Sequence, residues 1–556
     1  MKNIISIILL LSIVASFSYA QNIDSLFNEY LKIKRIEESP KIPHIHEHKP
    51  GDKCAFGIAT ILEENIDQLS TDKQEQLKRL LDRPVLDTSI TSLSGRFRIH
   101  YNESGESVPQ FDVLEVADAF DKAYEYEVET LGYPAPPTDY GEGGDDLFDV
   151  YIKDMGRGLY GETRFSWSDP DNGNVSYTII DDDFAEVPTV GLNGAKVTAA
   201  HEFHHAVQVG TYGFNSRDRF YYEMTSTSME EFVYDEINDY YQYLPLYFQN
   251  THRSFAWFDG YEVCIWNLYL QQKFFSEEND LFKGHNLVKR SWELIGEGKR
   301  ALEALNLALF EFGTTFKYEL NNFGLWCYFT ERKSITDEYF DEASQYPSVR
   351  PFNTYKYEGP KKEYFLSAQP ISNNYLFFDL SSSGYVDTLV SIISNADFLA
   401  ALMNQPFQNI DFTYALLTNS ESGAKKIVNE YYSKITSDGS GFLQESNIFN
   451  DIIVDGASIE REILDFAFPQ PFSYQKDNFV FIPVVNNPLG YAILNIYTAS
   501  MDLVYSERKE IFAVEKIVVK WNGLDNDNNK LPTGVYIYVT NSDDQIKKGK
   551  FVIYND

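Results

Sequence analysis

The chain has 556 residues, more than a single domain usually takes. Hydrophobic residues make up 43% and aromatic ones 15%, with 39 Tyr and 41 Phe, which is enough to bury real cores and leans toward β-rich, aromatic-packed architecture. Acidic residues outnumber basic ones 83 to 47, a formal charge of −36; such a surface repels nucleic acid and anionic lipid and argues against both as partners.

At the N-terminus, Lys2 precedes an apolar run from Ile4 to Phe17, and Ser18-Tyr19-Ala20 offers a small-x-small cleavage site. Residues 1–20 therefore read as a secretory signal peptide, too short for a comfortable membrane span. No later stretch reaches about 18 apolar residues, so the mature chain is expected to be secreted, extracellular or at the cell surface, without membrane insertion. The chain has three cysteines, Cys54, Cys264 and Cys327, which excludes a disulfide framework. Cys264 lies in an apolar helical run and reads as a buried free thiol.

Residues 21–94 are polar and helix-leaning. "TDKQEQLKRLLDR" predicts an amphipathic helix over Thr71–Arg83. "HIHEHK" sets His44, His46 and His48 on alternate residues, with Cys54 nearby. Alternate residues of an extended chain share a side and could meet a metal. No closed ligand set is visible, and a solvated linker accounts for the tract. In an exported enzyme this segment also reads as a removable pro-region.

From Gly95 the pattern changes. "GRFRIHY" alternates as a strand does, Val113–Tyr133 has helical spacing and ends at a glycine, and "DLFDVYIKDM" and "VSYTIIDDDF" read as strands. Helical patterns follow around Ala199–Gln208, Phe220–Asn238, Tyr261–Phe275 and Leu287–Phe312. Strands followed by helices suggest an α+β domain over 95–347. Beyond Pro347, short apolar runs separated by turn residues suggest a β-sandwich over 348–465 and another β-domain over 466–556.

The chemistry concentrates in "AAHEFHHAVQ". His201 and His205 are four apart and project from one helical face. Two imidazoles so placed can take two corners of a tetrahedral metal, and Glu202 beside them can accept a proton from water. The stretch is an H-E-x-x-H motif. Phe203 should face a core, Asn193 is available as an N-cap, and His204 has no clear role. A third histidine at the metzincin position is absent, since that position is Thr211. A carboxylate from the next helix can close a His₂Glu site. Glu223, Glu230 and Glu231 are the candidates, with Glu223 and Glu230 on one face.

The run H-E-F-x-H-A-V-Q, then E-x-T-x-T-x-x-E-E, with "GRFRIHY", "FDVYIKDM", "YGET" and "SYTIIDDDF" before it, resembles secreted bacterial gluzincin-type metallopeptidases over roughly Gly95–Phe275. The resemblance implies a zincin-like fold and a zinc ion (Zn2+) held by His201, His205 and Glu223, with Glu230 the alternative. It implies peptide-bond hydrolysis of a protein or peptide substrate, with Glu202 as general base. Tyr261, or Tyr221, would help stabilise the oxyanion. "VSYTII" is the expected edge for an extended peptide. Asp181–Asp183 offers carboxylates to calcium (Ca2+), although a solvated turn explains them without a twelve-residue calcium loop.

From about Phe468, "W-x-G-x-D…G-V-Y" within alternating runs resembles immunoglobulin-like folds and the C-terminal domains of type IX secretion substrates. That resemblance implies a sorting domain read by outer-membrane secretion machinery, or an immunoglobulin-like spacer. The expected fold class is thus a multidomain chain, with an α+β zincin-like metallopeptidase domain followed by all-β sandwich domains. The competing function is a cell-surface adhesin or scaffold whose metal site is non-catalytic.

Overall fold

A computed structural model describes residues 23–34, 53–105, 107–156, 158–169, 173–275, 283–335, 338–356, 364–366, 369–379, 388–396, 410–420, 423–434, 442–444, 467, 470–475, 479–485, 491–513, 517–542 and 545–554. The expected signal peptide and the His44/His46/His48 tract lie outside the described residues. The chain divides into two compact units, residues 1–247 with 256–299, and residues 248–255 with 300–556.

The first unit is built on a five-stranded mixed sheet in the order β1-β2-β3-β5-β4. Its strands are β1 (Thr88–Thr91), β2 (Phe97–Tyr101), β3 (Phe148–Ile152), β4 (Gly161–Asp169) and β5 (Gly173–Ile180). β2, β3 and β5 are parallel neighbours, while β1 and β4 run antiparallel on the two edges. β2 reaches β3 through helix α4 (Val113–Tyr124), the crossover that parallel pairing requires. Asp112 caps α4 by accepting the Leu114 N–H at 2.9 Å. The expected single helix to Tyr133 is cut short: Glu125–Thr130 forms a π-helical turn before Gly132, whose φ is 72°.

Helix α5 (Gly191–Tyr212) packs on β4, β5 and α4 and is buried all round from Val197 to Gly210. Asn193 is not its N-cap; the helix already begins at Gly191, whose φ of 61° lets the chain turn in. A helix over 23–33, α2 (Phe56–Glu64) and α3 (Thr71–Leu81) share a core with Tyr151, Tyr177 and Ile179 of β3 and β5. Side chains alternate along a strand, so these residues face away from α5, and both faces of the sheet are covered. Helices α6 (Arg219–Val233), α7 (Leu244–Gln249), α8 (Ile265–Phe274) and α9 (Lys283–Gly296) follow. The single helical pattern expected over Leu287–Phe312 is broken at Gly298, φ 92°, between α9 and α10 (Ala301–Glu311).

The second unit is β-rich. Helix α10 lies in it, and α11 (Phe316–Tyr328) packs on β8–β10, although both fall inside the expected 95–347 domain. One sheet runs β11-β10-β9-β8-β6, from β6 (Asn353–Lys356), β8 (Ser372–Asp379), β9 (Thr388–Asn395), β10 (Ile410–Ser420) and β11 (Gly423–Lys434). β7 (Tyr364–Leu366) pairs with β12 (Phe442–Gln444). At the C-terminus, β13 (Val480–Pro483), β14 (Tyr491–Thr498), β15 (Leu503–Ala513), β16 (Ile517–Trp521), β17 (Gly534–Ser542) and β18 (Gln545–Ile553) form an antiparallel sheet, β13-β16-β15-β14-β17-β18. The long β15 pairs with β14 through Glu510 and with β16 from Ile511. One core collects Ile482, Leu494, Ile496, Trp521, Tyr538 and Phe551.

Among the described residues, no helix is long and apolar enough to cross a membrane. Cys54, Cys264 and Cys327 are all buried, and none is in a disulfide.

Candidate metal centre

His201 and His205 stand one turn apart on α5, both buried, with their Nε2 atoms 3.1 Å apart. A 3-10 turn, Ser216–Asp218, brings the chain back so that α6 packs along α5. Glu223, in the second turn of α6, puts its Oε2 3.2 Å from His201 Nε2 and 3.4 Å from His205 Nε2. A tetrahedral zinc with bonds of ~2.0–2.1 Å has ligand–ligand edges of ~3.3–3.4 Å, and this triangle has that size. Glu223 Oε1 and Glu202 Oε2 are buried in the same place without a hydrogen-bond partner. Orphaned buried carboxylate oxygens need a cation or a proton, so the donor set fits zinc.

The imidazoles are held from behind. His201 Nδ1 lies 2.7 Å from Glu230 Oε1. Buried Lys53 donates to Glu230 and to Asp239, each at 2.5 Å, and the Tyr160 hydroxyl donates to Asp239 at 2.8 Å. His205 Nδ1 donates to Gln208 Oε1 at 2.8 Å, and Gln208 Nε2 donates to the Tyr222 carbonyl at 3.1 Å. With each Nδ1–H donated backward, each Nε2 keeps its lone pair for a metal. Glu230, the alternative ligand, is thus placed behind His201 and not beside Glu223. The two carboxylates meet opposite nitrogens of the same ring, Glu223 at Nε2 and Glu230 at Nδ1.

Electrostatics follow from burial. Burial alone would lower the His201 pKa, but Glu223 and Glu230 outweigh it and raise it to about 9. Burial pushes the Glu223 carboxyl up, yet His205 and His201 hold it well below the carboxylate range. Burial pushes Glu202 up, with the two histidines pulling the other way. The cluster demands positive charge at its centre.

Cys54 is the member that the sequence did not reveal. One ligand atom each from Cys54, His201, His205 and Glu223 all lie within 4.8 Å of one another. Burial, with the Glu202 and Glu223 carboxylates nearby, pushes its thiol pKa well up. The histidine tract that the sequence set near Cys54 lies outside the described residues, so this grouping is of described residues alone. The odd number of cysteines was a signal, but it named no partner. Sequence distance hides Lys53 and Asp239 as supports, whereas Gln208, three residues from His205 on the same helix, lay within reach of helical spacing.

Tyr261 follows Gly260, a turn with φ 125° pressed against α6: a β-carbon there would sit 2.4 Å from the Phe220 carbonyl oxygen. Its ring stacks near His201 at 6.1 Å between centroids, and its hydroxyl accepts the Cys54 N–H at 3.2 Å. Tyr221 does not join the site. Two residues from Glu223, it points ~200° round α6, and its hydroxyl meets Ser291 Oγ at 2.6 Å. Phe203 packs on Phe97, Phe148 and Tyr124, the expected core. His204, unassigned from sequence, is buried with Glu127, 2.7 Å from Nδ1 to Oε2, between Tyr133 and Trp292. Burial pushes the His204 pKa down and that of Glu127 up.

"VSYTII" packs on α5 but is not the expected edge. β5 is hydrogen-bonded on both sides, so it offers no edge; β4 does. Thr163 of β4 donates to the Glu202 carbonyl at 2.8 Å. A β-carbon on Gly161 would sit 2.7 Å from Thr198 Cγ2 and 3.1 Å from Glu202 Oε1, so only glycine lets β4 start this close. Of the aspartates, Asp181 and Asp182 gather with Asp154, not with Asp183. Asp181 already accepts the Met155 and Phe184 N–H groups at 2.9 and 2.8 Å, as in a turn.

No protein-family model matches the chain, and no curated protein does. Among solved structures the chain is similar to PorZ, described as an essential bacterial surface component of the type-IX secretion system of Porphyromonas gingivalis. The identity is 10% and the TM-score 0.13, over 30% of this chain and 37% of that one. Overlap that slight fixes neither fold nor function.

Proposed function

We propose that the protein is an exported zinc endopeptidase of the gluzincin type, with a zincin-like catalytic unit and C-terminal immunoglobulin-like domains. The observation that carries this reading is the triangle of His201 Nε2, His205 Nε2 and Glu223 Oε2, with buried Glu202 beside it, its Oε2 without a hydrogen-bond partner. Zinc bound there would polarise a peptide carbonyl and acidify water. The chain's own residues do the rest. Glu202, raised by burial and held on a rigid helix under Gly161, accepts the proton and passes it to the departing amine. β4 offers an edge on which an extended peptide can pair. Tyr261 stands close enough to His201 to reach a developing oxyanion once its hydroxyl leaves the Cys54 amide.

The C-terminal sheet is read, on its sequence pattern, as a sorting or attachment domain for outer-membrane secretion machinery. A second function, a surface adhesin or scaffold with a closed non-catalytic site, is favoured by one observation: Cys54 supplies a fourth donor, and structural zinc sites use four. Glu202 has no work in such a site. Zinc content and casein cleavage decide between them. One zinc per chain with cleavage that falls by about 10²–10⁴ in Glu202→Gln supports the peptidase. One zinc without Glu202-dependent cleavage, in both the wild type and Cys54→Ala, sinks it.

A further inference from the structure

We propose that Cys54 is the fourth ligand of the centre and that its segment is a built-in inhibitor, an inference that rests on the peptidase reading above. Three observations converge. First, the Cys54 thiol shares its space with His201, His205 and Glu223, one ligand atom of each lying within 4.8 Å of the others, and, beyond burial, Glu202 stands close enough to push its pKa up. A core thiol normally packs among apolar groups, whereas this one sits among two imidazoles and two carboxylates. The Oε2 of Glu202 and the Oε1 of Glu223 are buried without a hydrogen-bond partner, as oxygens facing a cation would be.

Second, the backbone of the same segment lies on the β4 edge. Cys54 forms a parallel bridge with Gly161, and Tyr160 N donates to the Lys53 carbonyl at 2.9 Å. An extended peptide pairing with the start of β4 would need that place. Third, the Tyr261 hydroxyl is occupied by the Cys54 amide. One dipeptide thus takes the fourth metal position, the start of the substrate edge and the candidate oxyanion donor at once.

Lys53 locks the arrangement by pairing with Glu230 and Asp239 inside the protein. Opening is a ligand exchange: the sulfur leaves the coordination sphere, takes up a proton and is replaced by solvent. No electrons are transferred. The population of open chains then sets the activity, since apparent activity scales with the competent fraction.

The test uses the full chain under reducing conditions as wild type, Cys54→Ala and Cys54→Ser, the serine being the closer match in shape should alanine perturb folding. Each is loaded with cobalt(II) and with zinc, and metal per chain, near-ultraviolet absorbance and casein cleavage are measured. The expected result is one metal per chain in all three, a sulfur-to-cobalt charge-transfer band in the wild type only, and casein cleavage at least ~10-fold faster in both variants. A wild-type cobalt spectrum without the sulfur band overturns the inference. Equal cleavage by wild type and variants, with no band, overturns it while leaving the peptidase standing. A band that disappears in Cys54→Ala, with no cleavage by any form, upholds Cys54 as ligand and removes the peptidase.

Discussion

At the residue scale, the site separates two glutamates that sequence spacing could not. Glu223 and Glu230 share a helix face, but only Glu223 reaches the Nε2 atoms, while Glu230 grips His201 from behind. Replacing each should therefore give different losses. Glu223→Ala should abolish stoichiometric zinc binding after dialysis. Glu230→Gln should keep one zinc per chain but weaken it by about 10–100-fold, as measured by competition with a chelator. Equal loss in both would mean that the roles are misassigned. The histidine spacing and the adjacent glutamate were legible because a helix fixes where i and i+4 point. Cys54 was not legible, because 147 residues of chain separate it from His201 and only folding brings them together.

At the scale of elements, the centre is a sandwich of α5 between β4 and α6. The period of α5, α6 and the strands β2, β3 and β5 could be read from sequence, with boundaries shifted by a few residues. β4 could not be read as the strand beside the base, since alternation gives a strand without its place in the sheet. The α6 packing depends on Gly260. Gly260→Ala would force a β-carbon to 2.4 Å from the Phe220 oxygen and 2.6 Å from Glu223 Cβ, in a conformation alanine resists. It should destabilise the chain by about 1–3 kcal/mol and weaken zinc binding through Glu223, seen by denaturant titration and metal content. A wild-type midpoint with wild-type zinc would refute the packing role.

At the scale of the whole molecule, the N-terminal residues are part of the fold of the first unit. Glu162 of β4 is buried with Lys34 and Arg164. Burial alone would raise its carboxyl, but Arg164 and Lys34 prevail and hold it at about 2, against an ordinary 4.5. A depressed folded pKa adds stability that is complete above pH 4.5 and drains away as the pH falls toward 2. Glu162→Gln should cost about 3–5 kcal/mol at neutral pH, since it leaves buried cations unpaired. It should also flatten the acid limb of the stability curve; an unchanged limb would exclude this network as its source. The C-terminal strands have a core of their own, so Trp521→Ala should lower the stability of residues 467–556, expressed alone, by about 3–5 kcal/mol. The sequence by itself determined that the chain is acidic, multidomain, helical around an H-E-x-x-H motif and β-rich toward its end, because composition and periodicity are local properties. Only the tertiary structure decided which glutamate faces the histidines, which strand forms the edge, and that Cys54 enters the centre. Each of these is a meeting between distant segments, set by packing and by the need to neutralise buried carboxylates.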